Sequence, residues 1–130
     1  MYQLWKRRLL VLACLSLNAL AVSPFQKYGD EFEALAKANG IPTARYLVRF
    51  GKPDQAGNLS STNIGFCDPQ REGHNIVTID EKFWRSTTEE CRRALFFHEA
   101  GHCALRKNHS GEGIMRPKLN CQGDVMELFR

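Results

Sequence analysis

Residues 98–109 read HEAGHCALRKNH and hold three of the chain's four histidines. His98 and His102 are four apart. On an α-helix that spacing stands the two imidazoles one above the other, rotated by about 40° and about 6 Å apart along the axis. Both can reach one tetrahedral ion. Glu99 projects about 100° round from His98, beside the ion's open position, where a carboxylate can hydrogen-bond a water without ligating. A chance HExxH is rare in a chain this short, about a few in a thousand at ordinary composition. That weighs against a plain amphipathic helix rich in histidine.

Two helical imidazoles do not close a zinc site, so a third protein ligand has to come from elsewhere. His109 supplies it if the helix ends near Arg106 or Lys107 and the chain turns back, a turn for which Asn108 tolerates the left-handed conformation. Glu127, in a later segment, is the competing ligand. His74 reads as an ordinary loop histidine ahead of a strand. The expected centre is one Zn²⁺ held by His98, His102 and His109, with water in the fourth position. The pKa of that water falls toward about 7, and Glu99 is placed to take its proton.

The elements that must position these groups can be read around them. Residues 30–39, DEFEALAKAN, predict a short helix with Gly40 as its stop. RYLVRF (45–50) and NIGFC (63–67) are strand candidates. NIVTID (75–80) is the clearest, with Ile76, Val77, Thr78 and Ile79 β-branched. Ser86 or Thr87 can then cap a long helix, with Glu89 and Glu90 at its positive end. Leu95, Phe96, Phe97, Ala100, Ala104 and Leu105 give that helix apolar bulk on more than one side, as suits a helix covered by a sheet. The stretch from 108 to 123 reads as loop, and DVMELFR as a last helical turn or two. The sum is α+β: a small mixed sheet packed on one long helix.

The first residues read differently. Lys6, Arg7 and Arg8 precede an apolar run that ends in Ala19-Leu20-Ala21, the layout of a secretory signal peptide over 1–21. The run is short for a membrane span, which needs about 20 residues. Val11-Leu12-Ala13-Cys14 offers an alternative, a cut that would leave Cys14 lipidated. Cleavage after Ala21 leaves one small domain, 22–130. Three of the eighteen Lys and Arg and none of the fourteen acids lie in the leader, which puts the remainder near +1. No basic stripe is left to argue for nucleic acid. Cys67, Cys91, Cys103 and Cys121 remain, and without a CxxC spacing they read as two disulfides of an exported domain. Cys91 and Cys103 lie twelve residues apart, about 18 Å along a continuous helix, and so cannot pair.

HEAGHCALRKNH followed by GIMRP resembles the metzincin zinc metallopeptidases, over about residues 63–117. It is most similar to small exported bacterial members with a histidine at this spacing and an IM-x-P turn. The resemblance implies a minimal zincin-like fold, His98, His102 and His109 as ligands, Glu99 as catalytic base and Met115 as the residue of the Met-turn. Two positions depart from the pattern. Leu105 and Asn108 stand where the usual spacing has a glycine and a histidine. No tyrosine follows Met115; Tyr28 and Tyr46 lie upstream, which leaves Arg116 as the positional candidate for steadying an oxyanion. Pairing of Cys67 with Cys91 and of Cys103 with Cys121 is preferred, since the second bond would tie the helix to the chain after the Met-turn. The expected function is peptide hydrolysis by a secreted or periplasmic monomer. Its partner is a peptide or protein substrate laid against a sheet edge, with NIVTID as the edge by analogy with zincins. After leader cleavage no membrane is involved. A non-catalytic exported zinc-binding domain is the alternative, and amide hydrolysis in peptidoglycan shares the chemistry.

Overall fold

A computed structural model describes residues 23–52, 64–68 and 74–130. The expected leader, with Cys14, lies outside the described residues. The first helix, α1 (Gln26–Ala38), buries Tyr28, Phe32 and Ala36, with Phe25 buried just ahead of it. These are the steps of three and four that keep one face toward a core. The helix starts four residues before the sequence suggested, with no side-chain cap of its own, because aromatic burial at Phe25 and Tyr28 fixes its first turn. It ends as expected at Gly40, whose φ of 66° lets Gly40 and Ile41 donate back to Lys37 and Ala36. This is the glycine-terminated turn that satisfies the last carbonyls of a helix.

Among the described residues three strands form one mixed sheet in the order β1-β3-β2: β1 (Tyr46–Gly51), β2 (Gly65–Asp68) and β3 (Asn75–Asp80). β1 runs parallel to β3, with Val48 beside Val77, and β2 runs antiparallel to it, with Cys67 beside Val77. β3 is therefore the central strand, which corrects the expectation that NIVTID offers a free edge. Its buried run Val77-Thr78-Ile79 is what demands a neighbour on both sides. Among the described residues the edge strand beside the histidines is β2.

Asp80 ends β3 and caps a short helix, α2 (Glu81–Ser86), by accepting from the Phe83 amide at 2.7 Å. Thr88, not Ser86 or Thr87, caps the long helix α3 (Glu89–Leu105) through the Cys91 amide. α3 is enclosed on both sides, by the sheet and by α1 and the C-terminal segment, and is buried continuously from Ala94 to Gly101. Phe96 stacks on Tyr28, and Phe97 meets Phe32 and Phe129 edge to face. The tail contributes two 3₁₀ turns, Gly113–Met115 and Val125–Phe129, whose Ile114, Met115, Leu128 and Phe129 close the core beneath α3.

Two disulfides cross-link these elements, Cys67–Cys103 and Cys91–Cys121. The preferred pairing was the other one. β2 crosses the C-terminal half of α3, so Cys67 meets Cys103. The chain after Met115 runs back to the helix start, where Cys121 meets Cys91. The two pairs fit an oxidising compartment. Among the described residues no helix is long and apolar enough to cross a membrane.

Candidate metal centre

His98 and His102 emerge from one stretch of α3, and each is oriented from behind. His98 Nδ1 lies 2.7 Å from the carbonyl of Ile114, and His102 Nδ1 lies 2.6 Å from that of Lys107. A carbonyl only accepts, so both Nδ1 atoms carry the ring proton and both Nε2 atoms are left with bare lone pairs. Those two Nε2 atoms face one another at 3.2 Å. Two lone pairs so placed repel unless a cation lies between them. A tetrahedral ion bound at about 2.0–2.1 Å needs its ligand nitrogens about 3.3 Å apart. The first two ligands therefore fit a zinc-like ion as they stand.

The elements that hold the carbonyls explain the local sequence. The helix ends at Leu105, and Arg106 adopts the left-handed conformation (φ 54°), which brings the Lys107 amide to the Gly101 carbonyl at 3.0 Å. The left-handed residue is Arg106 rather than Asn108. Asn75 donates to the Cys103 carbonyl at 2.7 Å, and the Ala44 amide to that of Ala104 at 2.8 Å. The loose carbonyls of the helix end are thus taken up by β3 and by the segment leading into β1. Met115 is buried beneath the helix, so close to Gly101 that a β-carbon there would lie 2.8 Å from its Sδ. This seats the turn that presents the Ile114 carbonyl to His98.

His109 joins the other two. The ligand atoms of His98, His102 and His109 all lie within 4.8 Å of one another, and this group could hold a metal ion. His109 is exposed, on a loop closed by the Ser110 amide bonding the Met115 carbonyl at 2.9 Å. Glu127, the competing ligand, packs instead against Gly113 and is not part of this group. His74 is exposed at the start of β3 and lies outside the group.

Glu99 is buried beside the cluster, with Oε1 4.0 Å from His98 Nε2. Among the described residues no hydrogen bond to its carboxylate is present, and desolvation is the one cause that shifts it. Burial pushes its pKa up to about 8. Burial also pulls His98 down to about 4 and lowers His102, so both rings are neutral at pH 7, as ligation requires.

The cluster opens on a cleft of about 1200 Å³ between β2, α3 and the chain at 117–121. Ile64, Phe66, Phe83, Leu95 and Leu119 form its apolar walls, and Arg106, Lys107 and Lys118 its cations. Arg116, Tyr28 and Tyr46 do not line it; the two tyrosines belong to the aromatic core. Two participants were missed from the sequence. Gly65 lies against Glu99, and Arg106 turns the chain. Gly65 carries no motif, and Arg106, expected only as a place where the helix could end, takes the left-handed turn that had been assigned to Asn108. Comparison with protein-family models, with curated proteins and with solved structures returns no match.

Proposed function

We propose that the chain is an exported zinc-dependent peptidase of metzincin type. The observation that carries this is the convergence of the His98 and His102 lone pairs at 3.2 Å, with both Nδ1 protons committed elsewhere and an unbonded carboxylate alongside. His98, His102 and His109 would hold the ion. When bound, Zn²⁺ supplies a Lewis acid that polarises a carbonyl and makes water acidic near neutrality. Beside a bound divalent cation, Glu99, whose pKa burial raises, would be held ionised and able to act as a base. Glu99 then accepts the proton of the attacking water and returns it to the leaving amine.

The substrate would extend along β2 and pair with its outer edge, which no described strand occupies, with apolar side chains received by Ile64, Phe66 and Leu95. A purely structural ion fits the surroundings less well. The two disulfides already tie α3 to β2 and to the tail, and a structural site needs neither an unbonded carboxylate nor a cleft of this size. Export rests on the leader and the disulfides together.

The test is digestion of a peptide library by the zinc-loaded protein, read by mass spectrometry, with chelation and zinc re-addition as controls. Cleavage lost on chelation and restored by zinc is the expected result. A library left intact by zinc-replete protein would overturn the reading.

A further inference from the structure

The described charged residues of the cleft are mostly cations. Among its described lining residues Glu99 is the one acid, and it lies buried under β2. Arg106, Lys107 and Lys118 are its other charged lining residues, and His109 lines it as well. Among the described residues none of these three forms an ion pair; the cations that do, such as Arg93 with Glu31 and Arg130 with Asp124, lie outside the cleft.

Arg106 adds a second, independent observation. Among the described residues it is the one non-glycine with positive φ; the others are Gly40 and Gly113. The position after a helix that takes this conformation favours glycine, because a β-carbon is strained there. The negative end of the α3 dipole favours a cation nearby. It does not favour one on the strained residue, and it does not account for Lys118, which lies outside α3 in the 117–121 wall of the cleft. A side chain held on strained backbone at the wall of a binding cleft points to a contact with ligand.

We propose that Arg106, supported by Lys107 and Lys118, binds a carboxylate of the substrate, so that the enzyme prefers peptides with an acidic group close to the scissile bond. This rests on the peptidase reading. A guanidinium presents two parallel donors to a carboxylate, which fixes the direction of the chain as well as its charge. The carboxylate can be an Asp or Glu side chain or a free C-terminus.

The experiment uses matched peptide pairs: Glu against Gln at each position flanking the cut, and free acid against amide at the C-terminus. Zinc-loaded wild type should favour the acidic member by about 10-fold or more in kcat/KM. A preference in the first pair assigns a side chain, and one in the second assigns a terminus; either supports the proposal. Arg106→Gly suits the left-handed backbone, so it should fold and keep zinc while losing the preference; Lys118→Gln should weaken it. Equal treatment of both pairs by wild type, or a preference untouched in Arg106→Gly, overturns the proposal. The same pairs titrated calorimetrically against zinc-loaded Glu99→Gln separate the two levels. Selective binding of the acidic peptides without hydrolysis by wild type supports the carboxylate site and counts against peptidase activity alone.

Discussion

Gly65 of β2 lies directly on Glu99: a β-carbon at Gly65 would sit 2.8 Å from Glu99 Cγ, 2.9 Å from its Oε1 and 2.9 Å from Leu95 Cδ1. The strand can cross the carboxylate only because that side chain is missing. Gly65→Ala should therefore displace Glu99 while leaving the histidines and their carbonyl partners in place. A shift of about 1 Å at a reacting group costs up to about 100-fold in rate. Metal content should stay at the wild-type value while kcat falls by about 10- to 100-fold. Loss of metal in parallel with activity would show that Gly65 serves the fold rather than the base.

The disulfides should each contribute about 2–5 kcal/mol, the usual range for small exported domains. Cys67–Cys103 holds β2 against α3 one residue beyond His102, and Cys91–Cys121 holds the wall of the cleft at 117–121. Cys67→Ser with Cys103→Ser should lower activity more than it lowers zinc content, since β2 positions Glu99. Peptide mapping without reductant checks the connectivity directly. Recovery of a Cys103–Cys121 peptide would refute it.

Titration predicts an unusual stability profile for the metal-free protein. Burial lowers His98 to about 4, so its contribution is complete above its ordinary value of 6.5 and is lost as pH falls toward 4. Burial raises Glu99 from 4.5 to about 8, so its contribution is complete below 4.5 and is lost as pH rises toward 8. The two oppose each other up to pH 6.5. Above it Glu99 acts alone, and one proton over that window amounts to about 2 kcal/mol. Urea unfolding in chelator should show stability falling by about this amount from pH 6.5 to 8. Glu99→Gln should flatten the fall; an unchanged slope in that variant would mean that the carboxyl ionises freely in the fold.

The third ligand separates two variants. His109→Ala should weaken zinc binding by orders of magnitude, whereas Glu127→Gln should leave it unchanged, because Glu127 packs at Gly113. Equilibrium dialysis decides between them, and the opposite ranking would move the ligand to the tail.

What could be read in advance divides along a physical line. α3 and β3 were legible because periodicity and β-branching are local, and because a glutamate next to two histidines at i and i+4 is a local pattern. Gly40 as a helix stop belongs to the same class. The order of the sheet was not legible. A run as apolar as Val77-Thr78-Ile79 indicates burial, but which strands flank it depends on chain crossings with no local signature. The disulfides follow from the same crossings, so the pairing of Cys67 with Cys103 could not precede the position of β2. Asn108 was the natural residue for left-handed backbone, yet the helix stops at Leu105 and Arg106 takes that place. Gly65 reads as any strand glycine until the carboxylate beneath it is seen.

The most direct measurement is zinc content and peptide hydrolysis on the same preparations of wild type and Glu99→Gln. The predicted result is one zinc per chain in both, with hydrolysis at least about 100-fold slower in the variant, the low end for loss of a general base. Zinc-loaded wild type that cleaves nothing, or a Glu99→Gln variant as fast as wild type, would contradict the assignment of Glu99 as the base of a metallopeptidase.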